Sequence, residues 1–108
     1  MLRPKKSLGQ NFLIDKNIIK KIINTVNISN KEVLEIGPGT GNLTKEILKK
    51  NPSKLLMIEK DTELCIKLRD EFKLNKKVKI FNEDILNFKI EKKLKNKETV
   101  IFGNLPYN

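Results

Sequence analysis

The sequence predicts an α/β domain built on a parallel sheet. Three observations carry that expectation. Short apolar runs alternate with stretches of helical spacing, the pattern of strand–helix–strand units with right-handed crossovers. One run, Leu55 to Ile58, is apolar throughout, as in strands covered on both faces. A glycine-rich turn, Gly37-Pro38-Gly39-Thr40-Gly41, stands where the first strand should hand over to a helix.

Taken in order, residues 1 to 14 read as a basic, irregular arm with Arg3, Lys5 and Lys6. Asp15 is placed to cap a helix. Ile18, Ile19, Ile22, Ile23 and Val26 follow helical spacing, so residues 15 to 27 are expected to be an amphipathic helix. Residues 27 to 31 form a turn, and Glu32 to Ile36 a short strand. After the glycine turn, Asn42 to Lys50 is a helix with Leu43, Ile47 and Leu48 to one side, stopped by Asn51-Pro52-Ser53. Leu55 to Ile58 is the second strand. Asp61 caps the next helix, which runs to about Lys73 with Glu59 and Glu63 near its positive end. Val78 to Phe81 is the third strand, Asp84 to Phe88 a loop, with a short helix beginning near Ile90, and Thr99 to Phe102 the fourth strand.

The bulk numbers bound the function. A chain of 108 residues holds at most one small domain. Net charge is +10, which favours a polyanionic partner, nucleic acid first. The basic residues are 21 Lys against two Arg in a chain rich in Ile and Asn, so base composition of the gene is a competing source of that charge. No segment is long enough to span a bilayer, and no membrane partner is expected. With one cysteine and no histidine, the chain has neither an internal disulfide nor a Cys/His metal site, and no metal is expected. Cys65 lies in a helical pattern with Leu64 and Leu68 and reads as a small packing residue. There is no apolar leader before Gly9, which fits a cytoplasmic or organellar setting.

Four places could carry chemistry. Gly37, Gly39 and Gly41 alternate through a strand-to-helix turn, letting backbone approach a ligand. Dinucleotide loops space the third glycine one residue later, so this shorter loop suits S-adenosylmethionine better. Glu59 ends the second strand, where a carboxylate can accept from both ribose hydroxyls; a helix-entry acid is the bland alternative. After the third strand, Glu83 and Asp84 both offer an acceptor for an adenine amine, with Ile85 beside them; chemistry alone does not choose. Last, Asn104-Leu105-Pro106-Tyr107-Asn108 follows the fourth strand. The Asn104 amide and the Pro106 carbonyl can accept the two hydrogens of a base amine, and Tyr107 can stack on the base. A polar strand end followed by a proline turn is the plainer account.

These motifs occur together in one order: Gly9-Gln10-Asn11-Phe12-Leu13, Glu35 to Gly41, Ile58-Glu59, Glu83-Asp84 and Gly103 to Asn108. In that order and spacing the chain resembles the N-terminal part of the small-subunit ribosomal RNA adenine dimethyltransferases. Leu105 and Pro38 favour that type over the related large-subunit enzymes. The resemblance implies a Rossmann-like S-adenosylmethionine methyltransferase fold of which only the first four strands are present, with 1 to 14 as an arm and 15 to 108 as an incomplete catalytic domain. It implies S-adenosylmethionine as cofactor, held by Asn11, Leu13, Gly37, Gly39, Gly41, Glu59, Asp84, Ile85 and Asn104. It makes Asn104, Pro106 and Tyr107 the catalytic set. The implied reaction is dimethylation of N6 on two adjacent adenosines near the 3′ end of small-subunit ribosomal RNA, by a monomer acting on the immature small subunit. The fourth strand would stand at a raw edge, so the chain alone is expected to methylate RNA poorly. A non-catalytic RNA- or nucleotide-binding module is the alternative class, and a dehydrogenase-type domain a weaker one.

Overall fold

The computed structural model describes Lys21, residues 23 to 88 and residues 99 to 103. The arm, most of the first expected helix, the segment near Ile90 and the Asn104 to Asn108 tail lie outside the described residues.

Four parallel strands form one sheet: β1 (Glu32–Ile36), β2 (Lys54–Ile58), β3 (Val78–Phe81) and β4 (Val100–Gly103), in the order β3-β2-β1-β4. Between β1 and β2 lies α1 (Asn42–Lys49), and between β2 and β3 lies α2 (Thr62–Glu71). Parallel neighbours need a connection that returns to the starting edge, and each helix is that return. Glu35 stands opposite Met57 on β2 and Phe102 on β4, and Ile36 opposite Ile58 and Gly103. β2 and β3 lie on one side of β1 and β4 on the other, so the strand order reverses at β1. Such a reversal opens a crevice at the C-terminal ends of the strands, where α/β sheets bind ligands.

Alternation along the strands gives the sheet two apolar faces. On one, Val33, Leu55, Met57 and Phe102 pack with Leu43 and Ile47 of α1 and with Ile23 and Ile28. On the other, Leu34, Leu56 and Ile58 pack under Phe88, which meets Phe81 edge to face at 5.2 Å. β2 is buried from Leu55 to Ile58, as its unbroken apolar run predicts.

Each helix begins for a local reason. Gly41 takes φ 90° at the N-cap of α1, a left-handed conformation. A Cβ there would lie 3.3 Å from Leu68, so α2 packs closely over this residue. α1 buries Leu43, Thr44 and Ile47, and Lys49 favours its negative end. Asn51 follows with φ 58°, a left-handed stop that asparagine tolerates. For α2, the Asp61 side chain accepts from the Leu64 N–H at 3.1 Å.

Several expected boundaries move. Helical residues end at Asn24, not at residue 27, and Thr25 begins a turn. Val26, expected on the apolar face, is exposed, while Ile28, expected in the turn, is buried in the core. The Ser29 N–H donates to the Asn27 side chain, which bends the chain as Ile28 turns inward. α2 closes at Glu71, because Phe72 caps it and packs against the core. The expected loop at 84 to 88 contains a 3-10 turn, Ile85–Asn87, capped by the Asp84 side chain on the Leu86 N–H at 3.0 Å. β4 starts and ends one residue later than expected. As expected, it is an edge strand among the described residues.

Candidate functional site

The glycine turn leaves β1 at the crevice. Gly37, Gly39 and Gly41 have φ of 69°, 60° and 90°, conformations that side chains with a Cβ disfavour. The Gly37 N–H donates to Ile58 O at 2.9 Å, continuing the β1–β2 ladder into the turn. The Gly41 N–H donates to Pro38 O at 3.0 Å, which closes it.

Glu59 sits at the end of β2 and is 7% exposed. One carboxylate oxygen accepts from the Gly39 N–H at 3.1 Å, the other from the Asp61 N–H at 2.9 Å. The side chain therefore joins the glycine turn to the start of α2. Burial pushes its pKa up, the N–H bonds from Asp61 and Gly39 pull it back, and the Asp61 charge adds to the rise. The carboxylate has about four lone-pair sites, so acceptor capacity remains for a ligand hydroxyl beside these backbone donors. The Glu59 backbone carbonyl accepts from the Cys65 thiol at 3.2 Å and from the Asn82 amide at 3.1 Å. Cys65 is thus a buried packing residue, as its helical position predicts.

Asp84 follows β3. One oxygen caps the 3-10 turn and the other lies 3.8 Å from the Lys60 ammonium. Ile85 is half-buried against the Leu34, Ile58 and Phe88 cluster. Glu83 is exposed. Three candidates, the glycine turn, Glu59 and Asp84, therefore line up at the ends of β1, β2 and β3 on one rim of the sheet. Gly103 ends β4 beside Ile36, so the fourth strand finishes at that rim too. Asn11, Leu13, Asn104, Pro106 and Tyr107 lie outside the described residues.

Two further residues stand out at the site: Asn82, and Glu35, which the sequence marks only as the start of the glycine-loop motif. Asn82 donates to the Glu59 and Lys60 carbonyls, both at 3.1 Å, and accepts from the Thr62 hydroxyl at 3.2 Å. It ties the end of β3 to the β2–α2 turn. Glu35 is 1% exposed inside β1. The Thr44 hydroxyl donates to one of its oxygens at 2.6 Å, and the other oxygen has no partner among the described residues. Burial, against the relief given by Thr44 and with the Glu59 charge adding, raises its pKa to about 7. An acid at an inward-facing position of an apolar strand was the available signal.

The arrangement offers carboxylate acceptors at two successive strand ends and a glycine turn whose backbone a ligand can approach. That donor and acceptor set fits a nucleoside with free ribose hydroxyls. Among the described residues no cluster of His, Cys, Asp and Glu could hold a metal ion, and no helix is long and apolar enough to cross a membrane.

A model of the ribosomal RNA adenine dimethylase family matches residues 1–108. The ribosomal RNA small subunit methyltransferase A of Pelagibacter ubique is 52% identical over 107 residues, which cover 99% of this chain and 40% of that protein. The protein of the same description from Sulfurihydrogenibium is 43% identical over 109 residues, covering 99% of this chain and 42% of its own. The chain thus spans about two fifths of the length of these relatives. Among solved structures, a dimethyladenosine transferase from Plasmodium falciparum superposes with TM-score 0.71 at 27% identity, over 86% of this chain and 33% of its own. The 23S rRNA methyltransferase ErmE gives 0.70 at 27% identity, over 86% and 36%.

Proposed function

The chain belongs to the ribosomal RNA adenine dimethylase family, and from that premise we propose that it forms the cofactor-binding part of a small-subunit ribosomal RNA adenine-N6 dimethyltransferase. The observation that carries the reading is the convergence of the glycine turn, Glu59 and Asp84 on the crevice rim of the sheet. The relatives described as small-subunit methyltransferases favour the small-subunit RNA over the large, while the structural likenesses do not separate the two.

S-adenosylmethionine supplies a methyl group on a sulfonium. Glu59 accepts the ribose hydroxyls through the lone pairs that Gly39 and Asp61 leave open. Asp84 accepts from the adenine amine of the cofactor, with Ile85 against the ring. The Gly37, Gly39 and Gly41 backbone admits the methionine end, with Asn11, Leu13 and Asn104 completing the site. Asn104 and the Pro106 carbonyl take the two hydrogens of the target amine, and Tyr107 stacks on the extruded adenine. Those acceptors turn the nitrogen lone pair toward the methyl carbon. When bound, S-adenosylmethionine would supply the methyl group and keep the sulfonium's electron pair as a thioether, while the amine proton would pass to water. The work of the protein is positioning and electrostatics. The setting is the cytoplasm, and the target two adjacent adenosines near the 3′ end of that RNA during subunit assembly.

The test has two arms. Titration of the chain with S-adenosylmethionine and with NAD should show the first binding more tightly; tighter NAD binding refutes the reading. In the chain extended through the rest of the domain, methyl incorporation into unmethylated small subunits should exceed that into large-subunit RNA. There, Asn104→Ala should lower turnover far more than it weakens cofactor binding. Near-normal turnover in that variant would remove Asn104 from the reaction.

A further inference from the structure

The end of the sheet remote from the glycine turn is built differently. Lys31 stands just before β1, Lys54 opens β2, and Lys76 and Lys77 precede β3. Backbone bonds hold these entries level: the Ser53 N–H donates to Lys31 O and the Leu55 N–H to Lys77 O, both at 2.9 Å. Leu55 faces Val78 in register, so Lys54 and Lys77 stand side by side on neighbouring strands. Lys54, Lys76 and Lys77 are exposed and Lys31 is half-buried, and none of the four pairs with a carboxylate among the described residues. Lys77 donates to the Asn51 side chain at 2.7 Å. Lys50 lies beside Asn51 at the end of α1. Asn30, Asn51 and Ser53 are exposed along the same rim. The acid nearest in sequence, Glu32, is buried and accepts from Thr99 at 3.0 Å.

We propose that this rim, centred on Lys31, Lys54, Lys76 and Lys77, is a second anchoring surface for the sugar–phosphate backbone of double-helical RNA, separate from the methyl-transfer crevice. The proposal rests on the RNA substrate read above. Like charges on adjacent strands disfavour the sheet, and a polyanion lying across them reverses the sign. Ammonium groups beside amides and a hydroxyl suit phosphates and 2′-hydroxyls, which position an RNA without reading its sequence. Among the described residues no aromatic ring is exposed, so the rim offers no platform for stacking unpaired bases. Strands of four or five residues put it about 16 Å from the crevice. An RNA that touches both ends must therefore be folded and large, not a short single strand.

The test compares two variants with equal loss of charge. One carries Lys31→Gln, Lys54→Gln, Lys76→Gln and Lys77→Gln; the other carries Lys21→Gln, Lys45→Gln, Lys67→Gln and Lys79→Gln. Binding to a long RNA hairpin is followed from low to high salt. The rim variant should flatten the slope of log K against log salt by about 3, at roughly 0.7–0.9 per phosphate contact, and the control variant by less than 1. Binding to a short single-stranded RNA should change equally in both. Equal slopes on the hairpin, or no hairpin binding by the parent chain, overturn the proposal. Loss of capture by phosphatidylserine vesicles with an unchanged hairpin slope also overturns it, in favour of a membrane surface. Should the fourfold rim variant fail to fold, Lys54→Gln with Lys77→Gln takes its place, with an expected change of about 1.5. S-adenosylmethionine binding is measured on every protein. If it is retained while the slope does not move, the rim fails and the enzymatic reading stands; if the parent lacks it, that reading fails whatever the slope.

Discussion

At the C-terminal ends of the strands, Glu35 and Glu59 are buried, and Thr44, Gly39 and Asp61 meet their oxygens. At the N-terminal ends, Lys54, Lys76 and Lys77 project into water, where one amide oxygen is their described partner. The sequence shows the charges mixed along the chain; the fold sorts them. Parallel topology brings every strand end to one rim and every strand start to the other, so residues about 20 positions apart become neighbours. Charge at the crevice is costly to bury and must be held by specific bonds. Charge at the other rim costs little and is held loosely. Changes at the crevice should therefore act strongly and one residue at a time, while changes at the lysine rim should act weakly and in sum.

The largest expected effect is a pH dependence. Glu35 has a folded pKa of about 7 against an ordinary 4.5. Between those values the folded chain binds the proton that the unfolded chain has released. Stability is thus fully favoured by this group below pH 4.5 and is lost as pH rises toward 7 and above. The difference amounts to about 3 kcal/mol at 1.36 kcal/mol per pKa unit. Glu59, whose pKa is also raised, adds in the same direction. Urea unfolding at pH 5 and pH 8 should show the lower pH more stable, and Glu35→Gln should remove most of the difference. A flat profile in the parent chain would mean that Glu35 reaches water or a partner, and the contrast between the two rims would weaken.

Glu35 also separates what is local in the sequence from what only the fold decides. The strands β1 and β3 and the Asp61 cap were legible, because apolar runs and cap chemistry are local. The burial of Glu35 was not. Period-two alternation puts it on the same face as Val33, but nothing local says that α1 covers that face with Thr44. Asn82 was hidden for the same reason, since its three partners all lie 20 or more residues away. Ile28 was misplaced because a polar, turn-like neighbourhood outweighed one isoleucine that the core takes in. The glycine turn, Glu59 and Asp84 were legible as candidates from spacing. What spacing could not give was that Glu59 is already engaged with Gly39 and Asp61.

That engagement makes the second prediction. Glu59→Ala should cost about 1.5–3 kcal/mol of S-adenosylmethionine binding, the scale of a charged hydrogen bond. It should also loosen the glycine turn, seen as faster amide exchange at Gly39. Cofactor affinity within a factor of two of the parent would show that Glu59 serves the fold alone. Third, Asp61→Ala removes the cap on α2 and should cost about 1 kcal/mol in urea unfolding. Because the Asp61 N–H still reaches Glu59, cofactor affinity should fall less than in Glu59→Ala.

The smallest effect is expected at the opposite rim. Lys54→Gln should change stability by no more than about 0.5 kcal/mol, the range of surface substitutions. Its direction is the informative part. Lys54 and Lys77 stand side by side, and Lys77 is already donating to Asn51. Removing the Lys54 charge relieves a repulsion and breaks no described bond, so the variant should be slightly more stable at low salt. Screening shortens the reach of that repulsion to about 3 Å at 1 M salt, so the gain should vanish there. Glu59→Ala has no such salt signature, because its bonds are buried. Urea midpoints for both variants at 20 mM and 1 M salt place the two rims on one scale. A clear loss of stability in Lys54→Gln, unchanged by salt, would show that this lysine is held by a specific bond, and the rim would be a packed part of the fold and not an open charged surface.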